Sequence, residues 1–72
     1  MVDTKRLRHK VEENGLKYKY VAEKLGISPY TLQLKIDGIN DFLTSEVAGL
    51  CDILKIDDLY EKEEIFFTKK VD

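Results

Sequence analysis

VAEKLGISPYTLQLKIDG, residues 21 to 38, carries the signals that decide the fold. Val21, Ala22 and Leu25, with Tyr18 upstream, recur at the three- and four-residue spacing of one helix face, and Gly26 stops the pattern. Ser28 and Pro29 then start a second helix. The serine oxygen can accept an orphan backbone N–H, and proline's missing N–H costs nothing at the first helical position. Leu32 and Ile36 at i, i+4 anchor this helix inward and Gly38 ends it. The stretch therefore predicts two short helices, 18–25 and about 29–37, joined by a tight turn.

The flanks continue the helical pattern. Asp3 or Thr4 caps a first helix running to about Asn14, with Leu7 and Val11 inside, Gly15 as its stop and Leu16 as a staple for the next helix. Thr44 or Ser45 opens a fourth, whose Val47, Leu50, Cys51 and Leu54 make one apolar stripe. Asp57 or Asp58 caps a last short turn through Tyr60. The run Ile65-Phe66-Phe67 is too short for a stable helix by itself; the expectation is an extended crossing of the bundle, with Val71 nearby and a loose tail after Thr68. With no repeat, linker or low-complexity tract, residues 1–72 read as a single all-α domain, a compact five-helix bundle with a short extended C-terminal tail.

Composition narrows the function. A chain of 72 residues buries only roughly 60% of its unfolded surface, which favours one small helical core over a closed reactive pocket. No Gly-rich phosphate loop, nucleophile elbow or His-carboxylate constellation is present, so the reading is a non-enzyme with no cofactor and no metal. His9 lies among Lys5, Arg6, Arg8 and Lys10 and reads as a solvated residue; Cys51 reads as inert core and has no disulfide partner. No apolar run of signal-peptide or membrane-span length occurs, so a cytoplasmic protein with no membrane partner is expected. Net charge is −2, with seven Lys/Arg against four Asp/Glu in residues 1 to 24 and five against ten in residues 25 to 72. Phosphate contact would come mainly from the first third, and the balance disfavours a strong generic polyanion binder.

The order of elements, with AEKLG, the Ile-Ser cap, the Asp-Gly stop and Phe-x-x-Ser-Glu-Val, resembles the Cro/CI (XRE-type) helix-turn-helix family over nearly the whole chain. It is most similar to the short regulators of temperate phages of Gram-positive bacteria. The resemblance implies a lambda-repressor-like bundle with its helix-turn-helix unit at about 18–37, in which the third helix enters the major groove and the second crosses the phosphates. Carried onto this sequence, the groove positions are Pro29, Tyr30, Thr31, Gln33, Leu34 and Lys35, and Lys17, Tyr18 and Asn40 take backbone-contact positions. This chain has Lys17-Tyr18 where many relatives have Thr-Gln, and Ile39-Asn40 where many phage relatives carry Lys-Arg. Each missing cation removes a phosphate contact and its counterion release.

If Leu32 and Ile36 point inward, Tyr30, Leu34 and Asp37 point nearly opposite at 100° per residue. The outer stripe is then aromatic, aliphatic and acidic, which suits a protein surface. Two alternatives stay open: Tyr30 and Leu34 can fold back as peripheral core, or contact thymine methyls and phosphate in a groove. The acidic run Asp57, Asp58, Glu61, Glu63 and Glu64 reads as a solvated rim, with a basic partner surface as the alternative.

Two functions follow from the resemblance, both in the bacterial host cytoplasm. One is an antirepressor of the modulator-of-repressor type found in lactococcal-type temperate phages, binding the N-terminal domain of its cognate CI repressor. The other is a Cro-like homodimer binding operator DNA through the third helix. Charge balance, Ile39-Asn40 and the Tyr30/Leu34/Asp37 stripe favour the antirepressor, with operator DNA bound weakly or jointly with the repressor. Ile65, Phe66 and Phe67 either fill the monomer or form a patch that pairs two copies.

Overall fold

A computed structural model describes residues 2–67. Among them are five helices and no strand: α1 (Thr4–Glu13), α2 (Tyr18–Leu25), α3 (Pro29–Ile36), α4 (Thr44–Ile53) and α5 (Leu59–Phe66). Capping follows the sequence closely. The Asp3 carboxylate accepts from the Arg6 amide to start α1, and the Ser28 hydroxyl accepts from the Thr31 amide to start α3. α2 ends at Gly26, whose φ of 74° is the left-handed conformation that reverses the chain within a residue or two. This is why α2 and α3 can pack so soon after each other along the chain.

The core gathers the inward faces of all five helices: Leu7 and Val11, Val21 and Ala22, Leu32 and Ile36, Val47 and Leu50, Ile65 and Phe66, with Leu54 and Ile56 from the α4–α5 connection. α2 packs on α3 and α4, and α1 packs on α3 and α5. Gly49 allows the α2–α4 approach, since a Cβ there would meet Leu25 Cδ2 at 2.9 Å. Cys51 is half-buried, and burial pushes its thiol above the ordinary range, away from the reactive thiolate. No helix among the described residues is long and apolar enough to cross a membrane.

The C-terminal segment corrects the sequence reading. Ile65 and Phe66 do not cross the bundle in extended form; they are the last turn of α5, which begins at the Asp58 cap. Isolated, eight residues would not hold a helix. Tertiary burial supplies what propensity lacks: Ile65 and Phe66 are each 3% exposed, Phe66 meets Phe42 edge-to-face at 6.0 Å, and the Ile65 carbonyl accepts from the Asp3 amide at 2.7 Å. The apolar run is divided by this arrangement, because Phe67 remains 58% exposed. The expectations for Thr68 and Val71 lie outside the described residues.

Candidate partner-binding face

α3 is held by three constraints of different kind. Leu32 and Ile36 are fully buried, as the i, i+4 spacing predicts. The Ser28 hydroxyl, accepting at 3.0 Å from the Thr31 amide and donating at 2.9 Å to Thr31 Oγ1, sets the first turn. At the far end, the Ile39 amide donates back to the Leu34 carbonyl at 2.9 Å and the Asn40 amide does so at 3.3 Å. That closing turn puts Ile39 and Asn40 outside.

The candidate residues separate into three groups. Pro29 and Tyr30 at the start of α3, and Ile39 and Asn40 just past its end, are exposed, with Tyr30 at 73% and Ile39 at 68%. Leu43, just before α4, adds a further exposed aliphatic group at 62%, which the sequence reading did not single out. Its signal was present: Phe42 and Leu43 are adjacent in an extended segment, so burying Phe42 turns Leu43 outward. Thr31, Gln33 and Leu34 are half-buried, so Leu34 gives only part of its surface to the outer stripe. Tyr18 is half-buried against the core, whereas Lys17 is exposed.

Lys35 and Asp37, the two charges of α3 and its cap, are both spent on intramolecular pairs. Lys35, the only Lys or Arg of that helix, does not extend outward; its ammonium reaches Glu46 Oε1 at 2.5 Å, with the two side chains 12% and 8% exposed. Glu46 Oε1 also accepts from the Leu43 amide at 2.8 Å, so one carboxylate caps α4 and binds α3. Leu43 has no side-chain acceptor, and Glu46 supplies that half of a capping arrangement alone. Burial opposes ionisation of Glu46, but the hydrogen bonds from Lys35 and Leu43 and the ammonium charge outweigh it and hold the carboxyl below its ordinary range. Glu46 was missed at the sequence level, although an acid in the first turn of a helix was the available signal.

Asp37 departs from its expected outward role. It is half-buried, accepts from Gln33 Nε2 at 3.1 Å on both carboxylate oxygens, and pairs with Arg8 of α1. The Gln33 hydrogen bond, followed by that from Arg8, pulls its carboxyl below the usual range. The reason is geometric: Asp37 keeps helical backbone angles and stands only about 100° round from Ile36, one turn beyond Gln33, on a flank of α3 that Arg8 of α1 can reach. By contrast, Lys17, Lys19 and Lys24 of α2 and its cap are exposed and form no ion pair among the described residues, although the Lys24 ammonium lies 5.6 Å from the Tyr20 ring centre.

The resulting face exposes Tyr30, Ile39 and Leu43, with exposed Asp41 between the last two and no free Lys or Arg on α3 itself. Such a surface gains by meeting another desolvating surface and gains little from phosphate. No family model, curated protein or solved structure matches the chain.

Proposed function

We propose that this chain is a temperate-phage regulator of the Cro/CI (XRE) helix-turn-helix class, acting in the bacterial cytoplasm as an antirepressor at the lytic/lysogenic switch. The outer side of α3 and the α3–α4 connection bind the N-terminal DNA-binding domain of a cognate CI-type repressor and cover the helix with which it reads its operator. The observation that carries this reading is the pairing of the one α3 cation with buried Glu46, while Tyr30, Ile39 and Leu43 stay exposed. α2, the Gly26 turn and the Ser28-capped α3 support the helix-turn-helix assignment.

A second reading has its own support. Lys17, Lys19 and Lys24 stand exposed on the helix that would cross the phosphates, which suits a Cro-like dimer on operator DNA. Co-purification with the neighbouring repressor's N-terminal domain, with and without operator duplex, separates the two. The antirepressor gives a protein–protein complex that excludes operator; an operator complex formed by this chain alone, and no repressor complex, overturns the first reading.

A further inference from the structure

Three features outside the apolar face bear on what α3 can meet. Glu46 is fixed from two sides, by the Leu43 amide and the Lys35 ammonium, and both members of that ion pair are almost wholly buried. Asp37 is likewise fixed from two sides, by Gln33 of its own helix and by Arg8 of α1. On α2, which packs on α3 and α4, and at its cap stand three exposed lysines that have no carboxylate partner among the described residues. A polyanion lying across α2 would therefore meet usable cations, and on reaching α3 would meet cations already neutralised.

We infer that Asp37 and Glu46 are the residues that keep nucleic acid off the α3 face, by holding Arg8 and Lys35 in intramolecular ion pairs, and that the chain carries a latent, sequence-independent affinity for duplex DNA beneath this restraint. The inference rests on α3 being the partner-binding face. Affinity for DNA grows with the number of cations that displace counterions from phosphate, and a cation already held by a carboxylate displaces few. Lys35 has a flexible four-carbon stem and Arg8 is at the surface, so both can turn toward phosphate once their carboxylates are gone. The two acids thus set partner choice by exclusion: they weaken the competing ligand without touching the apolar contacts.

The test compares two amide pairs in the full chain. Asp37→Asn with Glu46→Gln removes both restraints; Asp52→Asn with Asp57→Asn makes the same change in net charge at exposed acids that hold no ion pair among the described residues. Fluorescence anisotropy is read on a mixed-sequence duplex at about 50 and about 200 mM salt, with circular dichroism confirming the fold. The first pair is expected to bind roughly tenfold more tightly than the parent at the lower salt, with a log–log salt slope steeper by about 2, whereas the second stays near the parent. Asp37→Asn alone leaves the buried pair intact and should give about half that change in slope, so the idea stays testable if Glu46→Gln impairs folding. Equal gains in both pairs, or no gain in folded Asp37→Asn, overturn it. Repressor-domain binding by the parent is measured alongside: its loss with the DNA gain present refutes the antirepressor and leaves this inference standing. A parent that already binds duplex as tightly as the amide variant refutes the inference itself.

Discussion

Tyr30 at the start of α3 and Tyr60 at the start of α5 each expose 73% of their surface, but the faces around them are built differently. Around α3 Lys35 is drawn inward onto Glu46, Arg8 pairs with Asp37 at the surface, and Tyr30, Ile39 and Leu43 are exposed. Around α1 and α5, Ile65 and Phe66 go inside, Leu59 and Phe67 join Tyr60 outside, and the Arg6–Glu64 and Lys10–Glu61 pairs, each at 2.9 Å, lie at the partly exposed surface beside Asp57 and Glu63, which hold no ion pair among the described residues. Ion pairs of the same chemistry have opposite consequences. A buried pair fixes structure and removes charge from view; an exposed pair is screened and leaves a hydrated surface.

The strongest way to break this comparison is to remove one acid from each face. Glu46→Ala breaks the buried pair and uncaps α4, with Lys35 recovering part of the cost by turning to solvent, so urea unfolding should show a loss of about 2 kcal/mol. Glu64→Ala or Glu61→Ala should cost under about 1 kcal/mol, because their pairs are solvated. Similar losses on the two faces would mean that burial does not distinguish them.

Binding sharpens the comparison further. On the proposed antirepressor reading, Tyr30→Ala should weaken association with the repressor domain by roughly 1 to 3 kcal/mol in calorimetry, and Tyr60→Ala should leave it unchanged. Equal effects would move the interface away from α3.

The pH dependence reports on the α3 face. The Glu46 and Asp37 carboxyls are held below their ordinary values of 4.5 and 3.8, so the unfolded chain takes up those protons first on acidification. Their contribution is complete above those ordinary values and disappears as pH falls through the folded-state values, so stability declines on the acid side. Glu46→Gln should flatten that acid limb in a series of denaturant titrations. The smallest effect belongs to neither face. Lys55 leaves α4 with a left-handed φ of 58°, and Lys55→Gly should raise the thermal midpoint slightly, by a gain of about 1 kcal/mol or less.

The exposures of Tyr30 and Ile39 were legible because α3 is capped and anchored locally, by Ser28, Leu32 and Ile36. Lys35 and Asp37 were legible as positions on a helix face, and their partners were not: Glu46 is 11 residues away and Arg8 is 29 residues away. A facing rule describes the direction of a Cβ, and a lysine or arginine stem is long enough to turn its charge elsewhere. The same limit applies to α5. Local propensity gave no reason for helix at Ile65-Phe66, because the stabilising contacts come from Phe42 and the start of α1.

Caps, glycine stops and the three- and four-residue apolar spacing determined the class of fold, the positions of α1 to α4 and the residues of the central core, since each depends on interactions within one helical turn or on the pattern of one helix face. Tertiary structure decided which charges the α3 face presents and where the chain's last apolar run goes. Both depend on groups brought together across the bundle, so their outcome is a property of packing and solvent exclusion that no local stretch contains.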